Sequence, residues 1–218
     1  MSSDDVATRP QAAKAGRGRP RSFDREQALD RAMRVFWEKG FAGASLSELT
    51  AAMGIASPSL YAAFGSKEGL YREAVDRYLA LHREAFWGVM NAPTARESIE
   101  ELLRNAVRAF TSCASPTGCL VLQSAAETGE MSADLSARLC ELRASNTQML
   151  ADRIRRGVAS GELSPQTDVQ AVADFYATVH KGLSLSAKGG ADARELDSVV
   201  TSAMAAWRPL TQAGQAQA

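Results

Sequence analysis

Residues 45 to 64, SLSELTAAMGIASPSLYAAF, leave this chain few folds to adopt. Ser45-Leu-Ser-Glu48 is a capping box: the serine hydroxyl can accept from the backbone N–H three residues on, and the glutamate can reach back to the N–H of Ser45. Leu49, Ala52 and Met53 share one apolar face, and Gly54 stops the helix as a left-handed C-terminal glycine does. Ile55 plugs the turn. Ser57 and Pro58 restart the chain, a cap followed by a proline whose missing N–H costs nothing in a first turn. Leu60 and Phe64 face inward, one turn apart, which leaves Ser59, Tyr61 and Ala62 outside. Helix, glycine turn, helix is a pattern whose second helix can enter a major groove of DNA.

Charge agrees with such a partner once its placement is considered. Lys plus Arg and Asp plus Glu both number 25, so the formal net charge is zero. Yet residues 9 to 21, RPQAAKAGRGRPR, carry five basic side chains and no acid. A basic arm on a neutral body is a footprint for a polyanion. Residues 1 to 22 are polar and aperiodic and are expected to be disordered in isolation. Gly-Arg-Gly-Arg-Pro-Arg (16 to 21), with Arg19 and Arg21, is similar to arms that insert into a minor groove, although a solubilising tail has the same composition.

The rest of the chain reads as all-α, with about nine helices and no convincing strand. Asp24 caps a first helix bearing Ala28, Leu29, Ala32, Met33, Phe36 and Trp37, which Gly40 ends. Ser66 caps a long fourth helix reaching about residue 90, with Leu70, Tyr71, Ala74, Val75, Tyr78, Leu79, Leu81, His82, Phe86 and Val89 along it. Further helices are expected from Thr94 to about Cys113, from Cys119 to Thr128, from Gly129 to about Gly157, from Asp168 to Lys188 and from Asp192 to Trp207. Cys113, Cys119 and Cys140 are an odd number of cysteines, and residues 1 to 20 contain no apolar signal segment. Free thiols in a reducing cytoplasm are the expectation. No apolar run is long enough to cross a membrane. No nucleophile–base arrangement, phosphate loop or metal-ligand spacing appears, so no cofactor and no metal are expected; an all-α enzyme is the alternative of a different class.

Residues 24 to 71, and above all the run Leu60-Tyr61-Ala-Ala-Phe64-Gly-Ser-Lys67-Glu-Gly-Leu70, resemble the DNA-binding domain of the TetR family of bacterial transcriptional regulators. The motif covers the N-terminal third; beyond it the likeness lies in helix number and length. The resemblance implies a three-helix helix-turn-helix DNA-binding domain at 23–70, an effector-binding and dimerisation domain at 71–210, and a tail at 211–218. It implies a homodimeric repressor on a palindromic double-stranded operator, released by a small-molecule effector, in a bacterial cytoplasm and at the nucleoid when on DNA.

By the same resemblance Ser57, Ser59 and Tyr61 contact phosphates or base edges, Pro58 and Ala62 offer apolar contact to a thymine methyl, and Ser45 and Lys67 hold phosphates at helix starts. Candidates to line an effector pocket are Phe86, Trp87, Met90, Phe110, Cys119, Gln123, Met149, Tyr176 and His180, each of which also fits plain core. The last two helices carry apolar stripes that suit a four-helix dimer interface, Tyr176, Val179 and Leu183 with Leu196, Val200, Ala203 and Trp207, or alternatively core within one chain. Gly118-Cys119-Leu120 resembles a subgroup of the family, including redox-, electrophile- and copper-responsive repressors, in which a cysteine occurs there. A thiol at a helix N-terminus tends toward thiolate, with Cys113 near enough in sequence to be its partner; the other reading of Cys119 is a small buried hydrophobe.

Overall fold

The computed structural model describes residues 23–126 and 131–212. The basic arm, with Arg19 and Arg21, lies outside the described residues. Among the described residues every regular element is helical. The helices are α1 (Arg25–Gly43), α2 (Leu46–Met53), α3 (Ser57–Phe64), α4 (Lys67–Trp87), α5 (Ala95–Phe110), α6 (Leu120–Gln123), α7 (Ala133–Ala159), α8 (Val169–Lys188), α9 (Ala193–Ala205) and the short terminal α10 (Trp207–Thr211). A 3-10 turn, Gly88–Asn91, extends α4, and another, Ser124–Ala126, extends α6.

Local chemistry sets most boundaries. Asp24 accepts from the Gln27 N–H at 3.1 Å and starts α1. Gly40, at φ 75° and ψ 177°, breaks it. The chain turns there, so Phe41 returns to lie 6.3 Å from Phe36 and 5.2 Å from Tyr71, centroid to centroid. The capping box of α2 forms as expected: the Glu48 N–H donates to Ser45 Oγ at 3.2 Å and the Ser45 N–H to Glu48 Oε2 at 3.0 Å. Gly54 takes φ 68° and ψ 34°, a conformation a side chain would strain, and its N–H donates back to Ala51. One boundary differs. The N-cap of α3 is Ala56, without a side-chain bond, and Ser57 is already the first helical residue. Pro58 follows in the first turn, where no donor is needed, so the serine is free to face outward.

α1 and α4 lie against each other along their length. Phe36 meets Tyr71 edge-on at 4.9 Å and Trp37 meets Tyr78 edge-on at 4.8 Å. Arg77 holds Asp30 through two bonds, of 2.8 and 3.2 Å, and Arg25 reaches Glu73 at 2.6 Å with its guanidinium over Phe64. Leu60 and Phe64 drop from α3 into this seam. One apolar core runs from Ala28 in α1 to Trp207 in α10. Leu81, expected along the apolar face of the fourth helix, is exposed, and so is Val199 on α9.

Candidate functional site

The outer face of α3 is built from what its inner face leaves over. Leu60 and Phe64 are fixed in the core, so Ser57, Pro58 and Ala62 are exposed and Ser59 is half-buried beside them. Tyr61 is 46 % exposed on the same face. Lys67 stands at the start of α4 with its ammonium 4.5 Å from the centroid of Phe41. That cation–π contact holds its stem and leaves the charge half-exposed at a helix N-terminus. Ser45 is exposed at the start of α2, but its hydroxyl is engaged in both directions, accepting from the Glu48 N–H and donating to Glu48 Oε2 at 2.8 Å. Lys39 pairs with that same carboxylate and holds it down to about 2.

Behind this face, a cavity of about 460 Å³ opens between α4, α5, α7 and α8. Of the nine pocket candidates it brings together six: Phe86, Trp87, Phe110, Cys119, Met149 and His180. The other three point elsewhere. Tyr176 donates to the Ala203 carbonyl at 3.2 Å and lies against Trp207; Gln123 donates to the Thr117 carbonyl at 2.7 Å; Met90 is core in the 3-10 turn after α4. The cavity also recruits Tyr78, His82, Leu142, Ser145 and Asn146. Tyr78 and His82 stand eight and four residues before Phe86, so the spacing of α4 held the signal for both.

Of the two readings of Cys119, the structure fits the small buried hydrophobe. The residue caps α6, yet that helix is four residues long and the thiol is buried. Burial raises its pKa above the ordinary thiol value, against the lowering from a hydrogen bond with Tyr78. The thiol therefore stays protonated at neutral pH. Burial likewise raises the Tyr78 hydroxyl well above its usual range. Cys113 and Cys140 are exposed, and all three cysteines are free. The turn before Cys119 is close-packed: Gly118 sits at φ 76°, and a Cβ there would come within 2.7 Å of the Ser184 carbonyl. The Cys119 N–H donates to Ser184 Oγ at 2.9 Å.

His180 is buried among rings, 5.5 Å from Phe110 and 6.2 Å from Phe86 by centroids. Its Nε2 is buried and has no hydrogen-bond partner among the described residues. Burial pulls its pKa down to about 4, so it is a neutral imidazole. Among the described residues no three His, Cys, Asp or Glu side chains are placed to hold a metal ion.

The outward face of α8 and α9 differs from the stripes expected to form it. Tyr176, Leu183, Leu196, Val200, Ala203 and Trp207 are all buried within one copy, and Val179 is half-buried. They face α5 and each other, because two amphipathic helices first cover the core of their own chain. What this pair leaves uncovered is Phe175, Leu185 at 64 % and Val199 at 46 % exposure.

The likeness to known proteins spans nearly the whole chain. A family described as bacterial regulatory proteins, tetR family, matches residues 28–74, and one described as tetracyclin repressor-like, C-terminal domain, matches residues 95–203. The HTH-type transcriptional repressor ComR of Escherichia coli (strain K12) is 32 % identical over 206 residues, covering 93 % of this chain and 97 % of ComR. The repressor BdcR of the same organism is 34 % identical over 190 residues, 86 % of this chain and 90 % of BdcR. Among solved structures, a cysteine-substituted form of the TetR family regulator CifR, complexed with 26-bp double-strand operator DNA, has a TM-score of 0.83 at 48 % identity, covering 87 % of this chain and all of that one. No helix among the described residues is long and apolar enough to cross a membrane.

Proposed function

The chain belongs to the TetR family of bacterial regulatory proteins and is a transcriptional repressor of that type; from that premise we propose that it grips a palindromic operator as a homodimer and is released when a small molecule fills the cavity. The reading unit is 23–70 and the effector and dimerisation unit is 71–210. Ser57, Pro58, Ser59, Tyr61 and Ala62 enter the major groove, Tyr61 foremost, while Lys67 and the start of α2 at Ser45 hold phosphates. One such helix covers one half-site, and a twofold pair covers two, spaced by about a helical turn of DNA or a multiple of it. The pair forms through the uncovered faces of α8 and α9, around Phe175, Leu185 and Val199. The protein works in the cytoplasm.

The observation that carries this reading is the course of α4. It begins at Lys67 beside the reading helix and ends at Trp87 in the cavity wall. Its first turn is also tied to α7: Glu68 accepts from the Ser132 N–H at 2.6 Å and from the Ser132 hydroxyl at 2.7 Å. A ligand that displaces α4 or α7 at the cavity therefore moves the reading heads. A gel shift on DNA from upstream of its own gene tests this: a retarded band that a ligand abolishes supports it, and no band at micromolar protein contradicts it.

A second reading is favoured by one observation, that the Cys119 thiol lines the cavity and is hydrogen-bonded to Tyr78. On that reading oxidants, electrophiles or copper act at Cys119, and Cys119→Ser abolishes their effect on DNA release. The raised thiol pKa places it behind reversible ligand binding. Catalysis is not part of this function.

A further inference from the structure

The cavity has a chemical preference that its walls specify. Its volume of about 460 Å³ falls in the range of small-molecule sites and suits one or two fused rings. Phe86, Trp87 and Phe110 give it flat apolar walls, and the rings of Phe86 and Phe110 are 5.7 Å apart and tilted by 37°. Leu142 and Met149 face them from α7, half-buried, because their neighbour on that side is the cavity. Met149 can adapt its shape to whatever enters.

At the buried end stands His180. A buried polar nitrogen with no partner costs more than a hydrogen bond returns, so a ligand that satisfies Nε2 gains what the empty protein lacks. A hydroxyl does this whichever ring nitrogen carries the proton, since it both donates and accepts. Charge is excluded by the same surroundings. The ionic side chains that line the cavity, Asp76 and Arg83, are both exposed on α4, and Asp76 is already paired with Arg138. A carboxylate or ammonium carried to the depth of His180 would be stripped of water with no oppositely charged side chain of the lining beside it, for Lys181, the cation whose charge reaches His180, is exposed and lies outside the cavity lining. The imidazole itself is neutral, held so by burial.

We propose that the cavity takes a small uncharged aromatic molecule bearing one hydroxyl, its ring against Phe86, Trp87 and Phe110 and its hydroxyl on Nε2 of His180. This rests on the effector reading of the cavity and adds the class of ligand.

The test uses the full chain and three matched probes, 2-naphthol, naphthalene and 2-naphthoate, with binding read from tryptophan fluorescence and calorimetry. The wild type binds 2-naphthol about ten-fold more tightly than either of the others, the effect of one satisfied buried hydrogen bond. His180→Phe lowers 2-naphthol to the level of naphthalene and leaves naphthalene binding in place. Tighter binding of 2-naphthoate, no binding of 2-naphthol, or a hydroxyl preference that survives in His180→Phe overturns the proposal. Where His180→Phe does not fold, Ser145→Trp fills the exposed α7 side of the cavity without touching the core. Loss of both neutral probes in that variant supports the site, and undiminished binding overturns it. Operator release is read separately: 2-naphthol bound through His180 without release refutes the effector reading and leaves the ligand class standing, whereas ligand-induced release with no hydroxyl preference does the reverse.

Discussion

The indole N–H of Trp37 donates to the carbonyl of Gly118 at 3.0 Å, across 81 residues of chain. Its ring also lies 4.8 Å from Tyr78 and 5.4 Å from His82, both cavity residues. One side chain of the reading domain's first helix thus touches the cavity wall on α4 and the turn that leads into Cys119. Lys188 at the end of α8 closes the same corner, with its ammonium on the Trp37 and Glu38 carbonyls. The scaffold of the DNA-reading unit and the wall of the cavity share this corner, so on the proposed function a ligand that repacks Tyr78 or His82 is expected to move α1 as well.

Trp37→Phe keeps the ring and removes the donor. The Gly118 carbonyl is then left without its partner, a loss of about 1–3 kcal/mol that urea denaturation reads directly. The same variant weakens the effect of a cavity ligand on operator affinity more than it weakens operator affinity itself. Equal stability and full ligand response would show the bond to be incidental.

His180 gives the stability a defined pH dependence. Its folded pKa, about 4, is depressed from the ordinary 6.5. Between those values the unfolded chain takes up a proton that the folded one does not. Stability from this group is therefore full above pH 6.5 and is lost as pH falls toward 4, by about 3 kcal/mol at most. His82, half-buried, shifts in the same direction. Thermal melts of the wild type and His180→Phe between pH 4 and 7.5 should diverge toward acid, with the variant the flatter. Parallel curves contradict the assignment.

Leu185 and Val199 are apolar and uncovered on adjacent helices. Leu185→Arg together with Val199→Arg leaves the fold intact, because both side chains are exposed and neither belongs to the core. It converts the dimer to monomer in sedimentation and lowers operator affinity by two orders of magnitude or more, as expected when two half-sites no longer act together. A dimer that persists through both changes places the interface elsewhere.

The helix-turn-helix was legible because its signals are local. Ser45 and Glu48, Gly54 and Pro58 act within a few residues of themselves; the bonds of the first three form as their order in the chain implies, and Pro58 sits in the first turn of α3, one residue after a start that needs no side-chain cap. The cavity was only partly legible. Tyr176 and His180 stand one turn apart on one helix, yet one donates to the Ala203 carbonyl and the other lies among the rings of Phe86, Trp87 and Phe110 in the cavity wall. Helical period places both on the inner side of α8; which neighbour each meets depends on how α8 crosses α5 and α9, and no local pattern encodes that crossing. The apolar stripes of α8 and α9 misled for a related reason. A stripe says that a face is covered, and the covering comes first from the same chain. Cys119 shows two effects in competition, a helix N-terminus of one turn against complete burial, and burial wins.

Tyr61 is the side chain on which operator recognition is most directly tested. The side chain is exposed, so Tyr61→Ala changes stability by no more than about 0.5 kcal/mol. Fluorescence anisotropy of the dimer on labelled DNA from upstream of its own gene, at fixed salt, measures what it does for recognition. Tyr61→Ala is expected to keep its circular dichroism spectrum and its dimer and to lose at least about ten-fold in operator affinity, while its weak binding to unrelated DNA is unchanged. Operator affinity equal to that of the wild type would contradict that role for Tyr61.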